Sequence, residues 1–181
     1  MRLETDRLVL RPLSLDDLDD LAKFLADAET MRYIGAGDTR SRDQARETLE
    51  RMIESFQAQG FGQLAVVRKE DGAFMGRCGL LVWDSTWSIT VLPEAEGPVE
   101  IEVGYLLGRD YWGHGYATEA ATAVRDWAFA NLDLERLIAL ILPGNERSAA
   151  VARKLGMKPD GEVDIFGKRA VLHALGKPPA R

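Results

Sequence analysis

A strand, a turn with two glycines, a helix and a second strand follow one another in the middle of this 181-residue chain. Residues 99–107 alternate apolar and acidic side chains until two leucines end the pattern, which is typical of a strand. Residues 116–130 repeat their apolar side chains at helical spacing. Residues 136–142 form a short apolar run, as in a buried strand, and Pro143 and Gly144 end it. This strand–helix–strand unit predicts an α/β fold.

The turn before the predicted helix contains Gly113 and Gly115. The first turn of a helix leaves backbone N–H groups unpaired, and the helix dipole adds positive potential there. Glycines allow the backbone to approach an anion closely, so the junction suits a pyrophosphate. Asn145 caps a further predicted helix that ends at Gly156, which brings a second helix start nearby. A turn that only connects two elements remains the alternative reading of the glycines.

The remaining elements follow from local signals. Ser41 and Gln44 form a capping-box pattern at the start of a long amphipathic helix that ends before Gly60. Ser14 with Asp17 is expected to cap a helix that reaches about Ala28. The other expectations are a strand at 7–13, a loop at 33–39, strands at 63–68 and 74–83 joined by a turn at 69–72, an irregular segment at 84–98 and a last strand at 167–175.

Composition fits one compact domain, expected at residues 1–176, followed by a frayed tail at 177–181. The single cysteine excludes an internal disulfide, and one cysteine with two histidines does not furnish an ordinary zinc site, so no metal is expected. A net charge of −6 argues against a nucleic-acid partner and mildly favours cationic substrates such as amines. Neither a signal peptide nor a membrane-spanning run is recognisable, so the predicted location is cytoplasmic.

Two motifs resemble the GNAT superfamily of N-acetyltransferases. Residues 112–117, WGHGYA, look like its coenzyme A pyrophosphate loop, and residues 143–148, PGNERS, with 154–157, KLGM, look like the motif that follows. Residues 4–13, ETDRLVLRPL, and 102–105, EVGY, are similar to the RimJ/RimL-like branch, which includes enzymes that acetylate ribosomal-protein N-termini. The resemblance covers nearly the whole chain.

The resemblance implies a fold, a cofactor and a reaction. The fold would be a single α/β (α+β) domain around a splayed, mixed, mostly antiparallel sheet flanked by helices. Acetyl-CoA would be the co-substrate, and a primary amine, either a protein N-terminal α-amine or a small-molecule amine, would attack it directly. A homodimer is compatible with the sequence.

The resemblance also implies catalytic residues. Glu102 matches the acidic residue before the Gly-Tyr pair and is the expected base, with Glu100 as the runner-up two residues away. Two adjacent carboxylates would raise each other's pKa and help a base to work near neutral pH. Ser148 is expected to protonate the leaving thiolate, with Tyr105 as the alternative acid. Asn145 would hold the pantetheine arm or the tetrahedral intermediate, although helix capping alone also explains an Asn there.

The expected cofactor-binding residues are the end of the acidic strand, the glycine turn with the helix start, and the helix cap. They are Leu106, Leu107, Trp112, Gly113, His114, Gly115, Tyr116, Ala117, Thr118 and Asn145. Many family members carry Gln or Arg where this loop has Trp112, so Trp112 is expected to brace the loop and backbone donors to hold the phosphates. Trp83 and Trp87 are candidates for an amine pocket, with core packing or a dimer contact as the alternative, and Cys78 is expected in the core.

Two other functions remain possible at this point. A non-catalytic acyl-CoA-binding regulatory module on the same fold would bind the cofactor without turnover. An NAD-dependent oxidoreductase would need a third small residue where Thr118 stands, and an acidic residue at the end of the next strand, whereas Asp133 and Glu135 precede it. Binding of coenzyme A rather than NAD, and amine-dependent thiol release, distinguish the three.

Overall fold

The computed structural model describes residues 1–95 and 97–177. The tail that the sequence predicts at 177–181 lies outside these residues apart from Lys177, and Glu96 of the irregular segment also lies outside them. The domain boundary at residue 176 stays a prediction.

Fourteen elements carry the fold. The helices are α1 (Leu18–Ala26), α2 (Ala28–Met31), α3 (Arg42–Gln59), α4 (Tyr116–Asn131) and α5 (Glu146–Lys154). The strands are β1 (Leu3–Glu4), β2 (Leu8–Pro12), β3 (Gln63–Arg68), β4 (Phe74–Trp83), β5 (Ile89–Thr90), β6 (Glu100–Leu107), β7 (Arg136–Ile141), β8 (Lys158–Ile165) and β9 (Lys168–Gly176). Short 3₁₀ turns span Leu15–Asp17, Leu92–Glu94 and Arg109–Tyr111.

The strands of the described residues form one sheet in the order β1-β2-β3-β4-β6-β7-β9-β8, with β5 added to β4. Every neighbouring pair is antiparallel except β6 and β7. These two parallel strands are paired at one position only, Glu102 with Ile138, and α4 connects them. Beyond that position the two strands separate, so the sheet is splayed at its centre.

Helices cover both faces of the sheet. Ala65 and Leu106 belong to the apolar cluster that packs α1 and α3 on one face. Cys78 and Val103 belong to the larger cluster that packs α4 on the other face. Because successive strand residues point to opposite faces, each central strand contributes to both cores.

The predicted fold class, a mixed and mostly antiparallel sheet flanked by helices, is confirmed. The helix at α3 is also confirmed: Ser41 Oγ accepts from Gln44 N, Gln44 Oε1 accepts from Ser41 N, and Gly60 ends the helix with a φ of 77°. The predicted pairing of Ser14 with Asp17 is confirmed, because Asp17 Oδ2 accepts from Ser14 N at 2.9 Å. A 3₁₀ turn follows Ser14 before α1 begins, and α1 ends at Ala26 rather than near Ala28 because Asp27 caps α2.

Three strands were not expected from the sequence. β1 and β5 contain two residues each and carry no readable alternation. β8 is an eight-residue edge strand whose residues are nearly all exposed, so it has the composition of a loop and is held by its pairing with β9.

Two glycines that pair across β4 and β6, Gly79 and Gly104, give a test of packing at the sheet centre. A Cβ at Gly79 would lie 2.0 Å from the backbone oxygen of Gly62, whereas a Cβ at Gly104 would meet the Leu81 side chain at 3.3 Å. We expect Gly79→Ala to lower the free energy of unfolding by about 3 kcal/mol and Gly104→Ala by less than about 1 kcal/mol. Chemical denaturation of both variants measures the difference, and equal losses would contradict the packing described here.

Candidate active site

The separation of β6 and β7 opens a cleft that two cavities occupy. The first, of about 460 Å³, is lined by Trp83, Glu102 and the helices above that face of the sheet, and is called the Glu102 cavity here. The second, of about 480 Å³, is lined by the glycine turn and the start of α4, and is called the loop cavity. Both volumes lie in the range of small-molecule sites.

The two cavities share part of their lining. Residues that line both are Tyr33, Ile34, Tyr105, Asn145 and Ser148. The Tyr33 hydroxyl donates to the Gly144 carbonyl at 3.0 Å, which links the loop at 33–39 to the turn before α5 across this region. A ligand in one cavity would therefore meet a ligand in the other at a small set of residues.

Glu102 has a buried carboxylate with two hydrogen-bond donors. Trp83 Nε1 donates to its Oε2 at 2.7 Å, and the Leu140 backbone N–H donates to its Oε1 at 3.1 Å. Burial raises the pKa of Glu102 to about 7, against the opposing effects of these two hydrogen bonds and of the Arg77 charge. The carboxyl group thus has the pKa of a base that works near neutral pH.

Glu100, the runner-up for the base, lies outside both cavities. Its carboxylate forms an ion pair with Arg136, which also bonds Asp160 of β8. The expectation that Glu100 raises the pKa of Glu102 is wrong, because burial raises it and Glu100 is paired with Arg136 instead.

The three remaining residues of the expected catalytic set lie together at the junction of the cavities. Asn145 Oδ1 accepts from the Ser148 backbone N–H at 3.2 Å and so caps α5, which leaves its NH₂ group to donate elsewhere. The Tyr105 hydroxyl donates to the Ser148 carbonyl at 3.3 Å. Burial raises the pKa of Tyr105, so this phenol stays protonated.

The glycine turn has the backbone geometry that its sequence indicates. Gly113 and Gly115 have φ values of 80° and 82°, in the left-handed region that other residues disfavour. Arg7 braces the turn: it donates to the His114 carbonyl at 3.0 Å, pairs with Glu119 in the first turn of α4, and stacks on Tyr116 at 4.4 Å. The sequence did not indicate this role of Arg7.

The structure brings most of the expected cofactor-binding residues to one cavity. Those that line the loop cavity are Leu106, Leu107, Trp112, Gly113, Gly115, Tyr116, Ala117, Thr118 and Asn145. His114 is exposed and is not part of this lining. Trp112 Nε1 donates to the Leu107 carbonyl at 2.8 Å, and Arg147 stacks on its ring at 4.4 Å, which fits the bracing role. Arg147 and Lys154 add positive charge to the same lining.

Three arginines of the Glu102 cavity were missed. Arg40, Arg51 and Arg77 line it, and Arg77 is buried. For Arg77, the signal in the sequence was its position as a single charged residue inside the apolar run of β4. Of the two tryptophans considered for an amine pocket, Trp83 lines this cavity. Trp87 packs beside Trp83, with the two ring centroids 6.5 Å apart. Cys78 is buried in the core, and burial raises the pKa of its thiol to about 12.

Within residues 1–95 and 97–177, no three His, Cys, Asp or Glu side chains are grouped so that they could hold a metal ion. No helix in this part of the chain combines the length and hydropathy that crossing a bilayer needs.

Comparison with known proteins agrees with the geometry. A family model described as an acetyltransferase (GNAT) domain matches residues 7–158. The uncharacterized N-acetyltransferase p20 of Bacillus licheniformis is 31% identical over 167 residues, which cover 92% of this chain and 87% of that protein. The chain belongs to the GNAT acetyltransferase family and is an acetyl-CoA-dependent N-acetyltransferase.

Solved structures show the same fold. An acetyltransferase from Agrobacterium tumefaciens superimposes with a TM-score of 0.76 at 29% identity, covering 97% of this chain and 94% of that one. RimL, a ribosomal L7/L12 α-N-protein acetyltransferase solved with coenzyme A, superimposes with a TM-score of 0.75 at 15% identity, covering 97% and 98%. At that identity the second similarity concerns the fold alone.

Substituting Glu102 by Gln should change how stability depends on pH. The folded pKa of about 7 lies above the ordinary value of 4.5, so the fold favours the protonated carboxyl, and this contribution is complete below 4.5 and lost as pH rises towards 7. Relative to wild type, Glu102→Gln should therefore gain stability between these pH values, by at most about 3 kcal/mol. Urea unfolding of both proteins at pH 5 and pH 8 measures this gain, and a pH-independent difference would show that Glu102 has an ordinary pKa.

Proposed function

We propose that acetyl-CoA binds in the loop cavity and a primary amine in the Glu102 cavity, so that the thioester meets the amine at the residues that both share. The observation that carries this proposal is the shared lining of the two cavities, next to a buried carboxylate whose pKa is about 7. Held together in this way, the two reactants would react as if in one molecule.

In this proposal the pyrophosphate lies against Gly113, Gly115 and the first turn of α4. Its ligands are the unpaired N–H groups of residues 115–118 and the positive end of the helix dipole. The pantetheine arm follows β6 past Leu106 and Leu107, where β7 has diverged, and the NH₂ group of Asn145 donates to it or to the intermediate. Trp112 braces the loop from behind.

Glu102 is the proposed base. The amine nitrogen attacks the carbonyl carbon of the thioester, forms the C–N bond and passes a proton to the Glu102 carboxylate, directly or through water. The tetrahedral intermediate then collapses, the C–S bond breaks, and the thiolate takes a proton from the Ser148 hydroxyl, which regains one from water. Tyr105 is the alternative acid, because it is also protonated and lines the same junction.

The RimJ/RimL-like branch is the proposed position within the family. The motifs at 4–13 and 102–105 support it. The acceptor is then a protein N-terminal α-amine or a small-molecule amine. A cytoplasmic location is part of the same proposal.

Gly113→Ala should weaken acetyl-CoA binding by about 5- to 30-fold. The substitution strains a left-handed residue, at a cost of about 1–2 kcal/mol, where the backbone is proposed to hold the pyrophosphate. Gly72→Ala is the matched control, because Gly72 has a φ of 73°, also has open space around its Cβ position, and lies in the turn between β3 and β4. Calorimetric titration with acetyl-CoA measures both, and equal dissociation constants would contradict the assignment of the loop.

Glu102→Gln should lower kcat by about 100- to 10,000-fold with any amine that wild type acetylates. In wild type, kcat should rise with pH through a midpoint near 7, as Glu102 loses its proton, and this limb should be absent from the residual activity of the variant. Glu100→Gln is the control and should keep both rate and profile, since Glu100 pairs with Arg136 outside the cavities.

Release of the coenzyme A thiol measures kcat for these variants, and the same assay tests the proposed acid. Ser148→Ala should lower kcat and Tyr105→Phe should not; the reverse would make Tyr105 the acid. A pH–rate profile that is unchanged in both Glu→Gln variants would remove Glu102 and Glu100 as the base. Acetyl-CoA binding without thiol release over a broad amine panel would contradict catalytic transfer to an amine.

A further inference from the structure

The Glu102 cavity has a net positive charge, whereas the whole chain has a net negative charge. The protein carries a net charge of −6, yet the charged residues lining this cavity are Arg40, Arg51, Arg77 and Glu102. A polyamine or aminoglycoside would bring further positive charge next to three guanidinium groups, and like charges in a partly buried site repel strongly.

Arg77 has unused hydrogen-bonding capacity in this cavity. Only 8% of its surface is exposed, and its Nη1 donates to Gln63 Oε1 at 2.6 Å. Its Nε is buried and has no hydrogen-bond partner among the described residues. An unpaired donor on a buried cation is costly, and structures usually satisfy such groups with a ligand or another polar group.

The cation persists at neutral pH although its surroundings disfavour it. Burial lowers the pKa of Arg77 to about 10, Glu102 partly opposes this, and Arg40 adds to the lowering. An anion beside Arg77 would offset the cost of burial and the repulsion from Arg40 at once.

Arg77 and Glu102 line the same cavity on the same face of the sheet. Arg77 lies opposite Leu106 on β6, and Leu106 is four residues from Glu102, about 13 Å along the strand. Gly104 lies between Glu102 and Leu106 and also lines the cavity, with the side chains of Leu81 and Gln63 next to it. A small molecule in this cavity can therefore contact both the carboxylate and the guanidinium.

We propose that the acceptor is a primary amine that carries a carboxylate on the same molecule, with its amine at Glu102 and its carboxylate at the guanidinium of Arg77. Arg51, on α3 at the same cavity, adds to the attraction. This inference rests on the proposed function, because it assigns the Glu102 cavity to the acceptor. The carboxylate belongs to a free amino acid or to an acidic residue near the N-terminus of a peptide.

Matched pairs of amines test the charge of the acceptor. The pairs are ω-amino acids of three to six carbons and their carboxamides, glutamate and glutamine α-amide, which has no carboxylate, and C-terminally amidated tripeptides that contain Glu or Gln at the first or second position. 1,4-Diaminobutane serves as the cationic member. We expect wild type to bind and acetylate the acids about 10- to 100-fold better than the amides, the size of a charge-assisted hydrogen bond. Thiol release gives kcat/KM, and calorimetry on the coenzyme A-loaded enzyme gives binding without turnover.

Three variants test which arginine produces the preference for acids over amides. Arg77→Gln should reduce the acid-to-amide ratio to near one and leave acetyl-CoA binding unchanged, and Arg77→Lys should restore part of it. Arg51→Gln should reduce the ratio less; Arg51 is exposed, so this variant stays informative if Arg77→Gln does not fold. Arg46→Gln is the control, since Arg46 pairs with Glu50 on α3 outside the cavity and should keep the wild-type ratio.

The outcomes separate this inference from the proposed function. Acetylation of amides or 1,4-diaminobutane as efficiently as of acids would overturn the inference and leave the transferase standing. Acid-selective binding that Arg77→Gln abolishes, without thiol release, would support the recognition and contradict catalysis. Acids that bind no more tightly than amides would overturn the inference whatever the turnover. The amino-acid and peptide arms identify which source supplies the carboxylate.

Discussion

The single position at which β6 and β7 pair determines where the two cavities of the candidate active site form. Glu102 faces Ile138 there, and beyond it the strands diverge. A continuous parallel ladder would occupy the facing edges of both strands and leave no cleft. The Leu140 N–H, on the diverging part of β7, instead donates to the Glu102 carboxylate. The same break in the sheet thus opens the cavities and fixes the orientation of the carboxylate between them.

Burial and hydrogen bonding act on Glu102 in opposite directions, and burial has the larger effect. Trp83 and Leu140 each stabilise the ionised form, yet the pKa still rises to about 7. The hydrogen bonds keep the carboxylate in one orientation, and the desolvation gives it basicity. The charge of Arg77 also keeps the pKa of Glu102 from rising further, because a positive charge favours the anion.

The sequence predicted best those elements whose signals lie within a few neighbouring residues. The capping box of α3 and the turn between β3 and β4 fixed those elements to the residue, because each depends on neighbours within a few positions. β8 could not be predicted, since its polar, exposed sequence becomes a strand only through pairing with β9. The glycine turn was recognised from the predicted helix start that follows it, and Glu102 was singled out through motif resemblance. Arg77 was not, because arginine in a strand is normally exposed, and its burial depends on α1 and α3 packing over that face.

Cys78 is the one thiol of the chain, and it lies in the core on the face of the sheet that packs α4. A protein without an accessible cysteine has no thiol to which an acetyl group could be transferred and stored between substrates. In the direct transfer proposed above, the acetyl group stays on its carrier until the second molecule arrives, so both are present together. Selectivity for the acceptor is therefore exercised while the donor is still intact, and a poorly fitting molecule can leave without any acetyl group being lost.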